Sequence, residues 1–362
     1  MQACSSLRLL FISTPVGPLG SGLGGGVELT IVNLVKALRQ RGHEIAIAAP
    51  AGSQIEPAKL IPIAGQLQPT AQTQQREAAI ELPIDAVLAN LCRYAQQVQS
   101  DYDLIVNFAY DWLPFFLTPF FSTPVAHFVS MGSLSTAIDR VLLQTAQQYP
   151  GSLGAYTQAQ VETFPIKAGW EILSSAVDLS QYQYCDVPEN SLAWMGRLSP
   201  EKGLEDAVAA AQRAQMPLKI LGKLEDPTYW AQIQADYPHA PVEYLGFLST
   251  SELQSVLRQC RALLMTPRWT EAFGNVAIEA LACGVPVIAY RRGGPAEIVQ
   301  AGKTGWLVEP DSVTGLVSAI EALDQIDRRA CRAQAEQSYS LPALGKRFES
   351  WFQRILRAHQ QA

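Results

Sequence analysis

The chain has 362 residues, 48% hydrophobic and 17% charged, which is enough apolar material for two ordinary domains and too much for a disordered chain. Residues 1–170 carry 9 Lys/Arg against 11 Asp/Glu, and residues 171–362 carry 18 against 22. With a net charge of -6 and both halves mildly acidic, no basic domain for nucleic acid is expected. The six cysteines are scattered and form no Cys-x-x-Cys, which argues against a zinc ribbon or a redox pair and fits a reducing cytoplasm. No uncharged apolar run of membrane-spanning length occurs, and Met1–Arg8 lacks a basic leader, so neither a span nor a signal peptide is expected.

In chain order, Leu7–Ser13 reads as a buried strand, followed by the glycine-rich loop Gly17–Gly26. Ile31, Leu34, Val35 and Leu38 then mark one face of a helix that stops at Gly42. Ile45–Ala49 is a second strand, so the opening is a βαβ unit and the sheet should be parallel. Residues 52–80, rich in Gln, Pro and Ala, read as irregular. Leu104–Phe108 and Val125–Val129 are further strands, separated by the aromatic segment Tyr110–Phe121. The strand–helix alternation falters near 168–178 and restarts at Ser191–Met195. Helix Leu204–Ala214 and strands Lys219–Leu221, Val242–Leu245, Ala262–Thr266 and Val285–Tyr290 follow, with a helix from near Phe273–Asn275 to Gly284. Lys303-Thr-Gly305-Trp looks like a turn into an edge strand, and Leu344–Arg357 reads as a terminal helix. Two α/β domains in tandem are therefore expected, 1–169 and 170–340, with 341–362 packing back toward the first.

Four strand-to-helix turns carry chemistry. Gly20-x-Gly22-x-x-Gly25 is formally a dinucleotide fingerprint. It starts too far after its strand, and the second strand ends Ala48-Ala49-Pro50 without the acidic residue a ribose needs. What survives is a set of bare amides at a helix N-terminus, suited to phosphate, or else a flexible surface loop. In Gly196-Arg-Leu-Ser-Pro-Glu-Lys-Gly203, Arg197 and Lys202 are either two solvated charges or a fork and a point charge for a diphosphate. Glu271 falls just before a helix and Glu279 two turns in. At 100° per residue they lie within about 80° of each other around the axis, as carboxylates for two sets of hydroxyls or as exposed helix charges. Arg291-Arg-Gly-Gly-Pro-Ala-Glu297 allows close backbone approach, for a ligand or for packing alone. Asp101-Tyr-Asp103 precedes its strand, on the side away from any crevice, which argues against a metal site. His127 sits beside a strand end, where it reaches the crevice or is a core histidine with satisfied nitrogens.

Taken in order, these motifs resemble glycosyltransferase family 4. The matching pieces are Gly24-Gly25-Gly26-Val-Glu28, Gly196–Gly203, Glu271 to Glu279, Gly284-Val-Pro-Val-Ile, Gly293-Gly294 and Gly302-Lys-Thr-Gly305. The resemblance implies the GT-B architecture: two Rossmann-like domains facing across an interdomain cleft and closing about a hinge near residue 170. It also implies retaining hexosyl transfer from a nucleotide sugar without a metal ion or other cofactor. Arg197, Lys202 and the amides of Gly24, Gly25 and Gly26 would receive the diphosphate. Glu271, with the backbone of Phe273, Gly274 and Asn275, would hold the sugar; Glu279 would take the ribose, Phe247 and Leu248 the base, and His127 the reacting sugar. Ser174-Ser-Ala-Val-Asp178 stands where relatives usually show Asn-Gly before Val-Asp.

Segments Ser13–Gly22, Asn107–Pro114 and Val125–Ser135 are similar to pterin glucosyltransferases of that family. This implies UDP-glucose as donor and a hydroxyl of a reduced, tetrahydrobiopterin-type pterin as acceptor, with Tyr110, Asp111 and Trp112 as acceptor contacts. Ordinary core packing is the other reading of that aromatic segment. A sugar, sugar-phosphate or lipid acceptor, or a non-catalytic nucleotide-sugar-binding module, would use the same donor motifs.

Overall fold

The structure, a computed structural model, describes residues 6–21, 25–55 and 58–361. Cys4, Gly22 and Gly24 lie outside the described residues. The chain divides into two compact units, residues 1–175 with 341–362, and residues 176–340.

The first unit opens with β1 (Arg8–Ile12), α1 (Gly26–Gln40), β2 (Glu44–Pro50) and β3 (Lys59–Ile63). It continues with α2 (Val87–Val98), β4 (Leu104–Asn107), α3 (Trp112–Leu117), β5 (Val125–Phe128) and α4 (Thr136–Gln148). β6 (Leu153–Ala155), α5 (Gln158–Val161) and β7 (Trp170–Ile172) complete its sheet. The strand order is β3-β2-β1-β4-β5-β6-β7, and every pairing is parallel. The central strands are covered on both faces and so read as unbroken apolar runs. On one face Leu10, Ile12, Ala46 and Ile105 meet Val87, Leu91 and Ala95 of α2. Residues 52–80 are not irregular throughout, because β3 forms there. As an edge strand its pattern is half exposed and it tolerates Pro62, which removes the signal of a buried strand.

The second unit begins with β8 (Leu192–Met195), a 3-10 turn at Pro200–Lys202, α6 (Leu204–Ala214), β9 (Leu218–Leu221) and α7 (Pro227–Asp236). It continues with β10 (Val242–Gly246), α8 (Thr250–Leu257), β11 (Ala262–Met265) and α9 (Asn275–Ala282). β12 (Val287–Tyr290), α10 (Pro295–Ile298), β13 (Gly305–Val308), α11 (Val313–Glu321) and α12 (Arg328–Ser338) follow. The order is β10-β9-β8-β11-β12-β13, again parallel throughout. Trp194, Leu204, Val208, Ile220, Ile288 and Leu316 are buried together in its core.

The last helix, α13 (Leu341–Gln361), belongs to the first unit. Gly345 lets it approach α1, where a Cβ would meet the Ala37 carbonyl at 3.2 Å. Phe348 sits 5.4 Å from Phe128, centroid to centroid, and the Trp351 indole donates to the Gly151 carbonyl at 2.7 Å. Glu349 accepts hydrogen bonds from Arg41 and pairs with His43 Nε2 at 3.1 Å. The first unit runs past the expected boundary at 169 because β7 pairs with β6. Ser174 takes φ +61°, a left-handed conformation that residues other than glycine seldom adopt.

Candidate nucleotide-sugar site

In each sheet the strand order reverses beside the first strand, between β1 and β4 and between β8 and β11. Loops leaving the C-terminal ends of such strands diverge and leave a crevice, the usual ligand position in a parallel sheet.

In the second unit, Gly203 ends the turn after β8 at φ +63°, and a Cβ there would lie 2.1 Å from the Thr266 carbonyl oxygen. The hydroxyl of Thr266 donates to the Gly203 carbonyl at 2.7 Å and accepts from the Trp194 indole at 3.2 Å. These bonds tie the loop after β8 to the loop after β11. They bring Lys202 to Glu271, with Nζ 2.5 Å from Oε2. Trp269 joins the pair: Nε1 donates to Glu271 Oε2 at 3.2 Å, and the Lys202 ammonium lies 4.9 Å from the indole centroid. Both charged side chains are mostly buried, at 20% and 17% exposure, so the pair is screened less than a surface ion pair. Sequence reading missed Trp269. Its only local signal is an aromatic residue two positions before Glu271.

Arg197 is more open, at 39% side-chain exposure, and bridges Glu225 at 2.6 Å and Glu201 at 3.0 Å. It is not a bare surface charge. Arg292 donates to the Pro267 carbonyl at 2.8 Å and pairs with Asp311 at 2.9 Å, fixing the loop that carries Trp269 and Glu271. Gly293, at φ +64°, would place a Cβ 2.4 Å from the Glu271 carbonyl oxygen, and the Gly294 amide donates to that oxygen at 2.7 Å. The two glycines therefore shape the Glu271 loop through packing.

Helix α9 begins only at Asn275, with Gly274 in the left-handed conformation before it. Glu271 is thus a loop residue, and the helical angle that relates it to Glu279 does not apply. Phe273 is buried and packs on Tyr339 at 6.1 Å. Glu279 is partly buried on α9 and accepts a hydrogen bond from the Tyr182 phenol at 2.9 Å. Burial pushes its carboxyl up to about 7, and the Tyr182 bond offsets part of that rise. Beyond β10, Phe247 is 76% exposed and Leu248 partly buried, both at the C-terminal strand edge.

In the first unit, Gly25 caps α1 at φ +63° and Gly26 opens the helix, both exposed. A carboxylate already serves this loop, since Glu28 accepts from the Gly20 amide at 3.0 Å. His127 corrects the expectation of a residue at the crevice: it is fully buried inside β5. Asn107 lies 3.2 Å from Nδ1, Thr118 Oγ1 lies 2.9 Å from Nε2, and the ring packs on Phe115 at 4.6 Å. Burial pushes its pKa down to about 3, so the ring is neutral and a core histidine.

Asp111 caps α3 by accepting from the Leu113 amide at 3.1 Å and accepts from Gln68 Nε2 at 3.3 Å. Burial pushes its carboxyl up. Trp112 stacks on Phe116 at 4.4 Å, and the Tyr110 hydroxyl accepts from the Leu134 amide at 3.1 Å. Gln68, which sequence reading missed, donates its backbone N–H to the Pro15 carbonyl at 3.1 Å. Its buried Oε1 has no hydrogen-bond partner among the described residues, and neither does the buried Ser13 hydroxyl at the end of β1. Asp103 pairs with Arg8 at 3.1 Å, at the N-terminal ends of β4 and β1.

The family model for glycosyl transferases group 1 matches residues 186–338, which hold Arg197, Lys202, Glu271 and Glu279. The chain is 34% identical to an uncharacterized glycosyltransferase, MJ1178, of Methanocaldococcus jannaschii over 35% of its length, and spans 36% of that relative. It is 25% identical to D-inositol 3-phosphate glycosyltransferase of Kribbella flavida over 87% of each chain. Among solved structures, Anabaena Alr3699/HepE in complex with UDP is similar with a TM-score of 0.76 at 19% identity, covering 96% of this chain and 100% of that one. At that identity the likeness is one of fold, the two parallel-sheet α/β domains of GT-B glycosyltransferases. Among the described residues no helix is long and apolar enough to cross a membrane.

Proposed function

We propose that the chain is a retaining glycosyltransferase that moves glucose from UDP-glucose to a hydroxyl of a small acceptor, a reduced pterin, without a divalent cation. The observation that carries the donor half is the Lys202–Trp269–Glu271 unit at the strand-order reversal of the group 1 domain. Lys202 is compensated by Glu271, and Arg197 by Glu201 and Glu225. An incoming diphosphate takes over these cations, and the released Glu271 carboxylate meets hydroxyls of the sugar. In the reaction the bond between the anomeric carbon and the β-phosphate oxygen breaks, and its electron pair goes to the phosphate. Arg197 and Lys202 stabilise that charge as it grows. The acceptor hydroxyl attacks the anomeric carbon from the face the phosphate leaves, and its proton passes to the departing phosphate oxygen. Configuration is thereby retained.

The acceptor half rests on the C-terminal strand edge of the first unit. Asp111 and the unpartnered Gln68 Oε1 are acceptors for the N–H groups of an aminopyrimidine, and the neighbouring Trp112 and Phe116 offer aromatic faces. The match over 87% of each chain to a D-inositol 3-phosphate glycosyltransferase favours a second reading, in which the acceptor is a sugar phosphate or cyclitol phosphate. Incubation with UDP-glucose and a panel of reduced pterins, sugars and sugar phosphates, with mass detection of product in the presence of a chelator, separates the two. A pterin glucoside is expected. Transfer only to sugar phosphates would leave the donor assignment standing and reject the pterin, and loss of all transfer on chelation would reject the metal-free step.

A further inference from the structure

Tyr182 lies 97 positions from Glu279 in sequence, in the segment before β8, and it is 4% exposed. Its phenol donates to Glu279 Oε1 at 2.9 Å, and its backbone carbonyl is gripped by Arg332 of α12 at 2.9 Å. Arg332 also reaches the Ala282 carbonyl at the end of α9, at 2.6 Å. The tyrosine and the helix that carries the glutamate are thus held by one guanidinium. A carboxylate on a flexible side chain presents two oxygens in any rotation. Holding one oxygen orients the lone pairs of the other, and a single carboxylate oxygen can accept from both hydroxyls of a diol.

We propose that Tyr182 is a positioning residue for the donor's ribose. It holds one oxygen of Glu279 so that the carboxylate faces the 2′,3′-diol of the nucleotide. This rests on the donor site proposed above. Oε2 of Glu279 has no hydrogen-bond partner among the described residues, and it is the oxygen left for the sugar.

The charged and titratable neighbours fit this role. Cys283 at the end of α9 has its thiol pushed up to about 12 by burial, so it stays neutral. Arg258, Arg328 and Arg332 stand around it on the α8 and α12 sides. Asp178 lies near the Tyr182 phenol, which burial keeps protonated. Glu279 is therefore the group that ionises near neutrality, and its ionised form is the one that accepts two hydroxyls. Donor affinity should rise with pH through about 7 and then level off. Removing the Tyr182 hydroxyl takes a donor from the carboxylate, so that inflection should move to higher pH.

The test is calorimetric binding of UDP and 2′-deoxy-UDP to the intact chain between pH 6 and 9, for wild type, Tyr182→Phe and Glu279→Gln, with melting curves for each. For Tyr182→Phe, the UDP Kd should rise about tenfold at pH 8, on the order of one hydrogen bond to a charged group. Its inflection should move up, and its preference for UDP over 2′-deoxy-UDP should shrink. Glu279→Gln should weaken UDP and abolish the inflection. If Glu279→Gln weakens UDP while Tyr182→Phe keeps wild-type affinity, inflection and preference, Tyr182 is only packing. If Glu279→Gln also binds UDP as wild type does, the donor site itself is misassigned and both readings fall.

Discussion

The indole N–H of Trp269 is a single bond whose removal separates chemistry from packing. Trp269→Phe keeps a ring beneath Lys202 but leaves Glu271 short of one donor. A hydrogen bond to a charged group contributes about 1.5–3 kcal/mol, so kcat/KM for UDP-glucose should fall about tenfold to a hundredfold with little change in melting temperature. His127 has the opposite signature. Its buried ring resists protonation in the fold, whereas in the unfolded chain it titrates near 6.5. The unfolded state therefore binds the extra proton as pH falls below about 6.5. Stability of the first unit should drop by up to about 1.4 kcal/mol per pH unit until about pH 3. His127→Gln should flatten that slope in denaturation curves at pH 7 and 5 while leaving UDP affinity unchanged; weakened UDP binding would return His127 to the donor site. Neither residue's place was legible in sequence. Trp269 matters because loops after β8 and β11 meet, and His127 sits in a strand whose burial on both faces leaves no alternation to show where its ring points.

Elements in the second unit were more legible than those in the first. Helix α6 occupies the expected residues, and β13 is the edge strand expected after Lys303-Thr-Gly305, because a buried apolar run marks α6 and a glycine turn marks the start of β13. Edge strand β3 and the short β6 and β7 lacked that signal. The turn glycines Gly203 and Gly293 show why turns were readable: each marks a backbone approach that no side chain permits. Gly203→Ala should cost at least about 2 kcal/mol in chemical denaturation of the second unit, since its Cβ would collide with the Thr266 carbonyl at a positive φ. Ser174→Gly should do the reverse and stabilise the first unit by about 1 kcal/mol, because serine is held left-handed there. Equal stability of Ser174→Gly and wild type would mean that the turn relaxes.

On the scale of the whole molecule, the fold class was readable because two trains of strand and helix each close into a parallel sheet. The assignment of α13 to the first unit depends on contacts far apart in sequence, such as His43 and Arg41 with Glu349. The proposed nucleotide-sugar site lies within residues 186–338. Amide hydrogen exchange of the intact protein, with and without saturating UDP-glucose, tests this most directly. Exchange should slow in the peptides spanning Gly196–Gly203 and Glu271–Glu279. Unchanged exchange in both peptides at a saturating concentration, or slowing confined to the first unit, would contradict it.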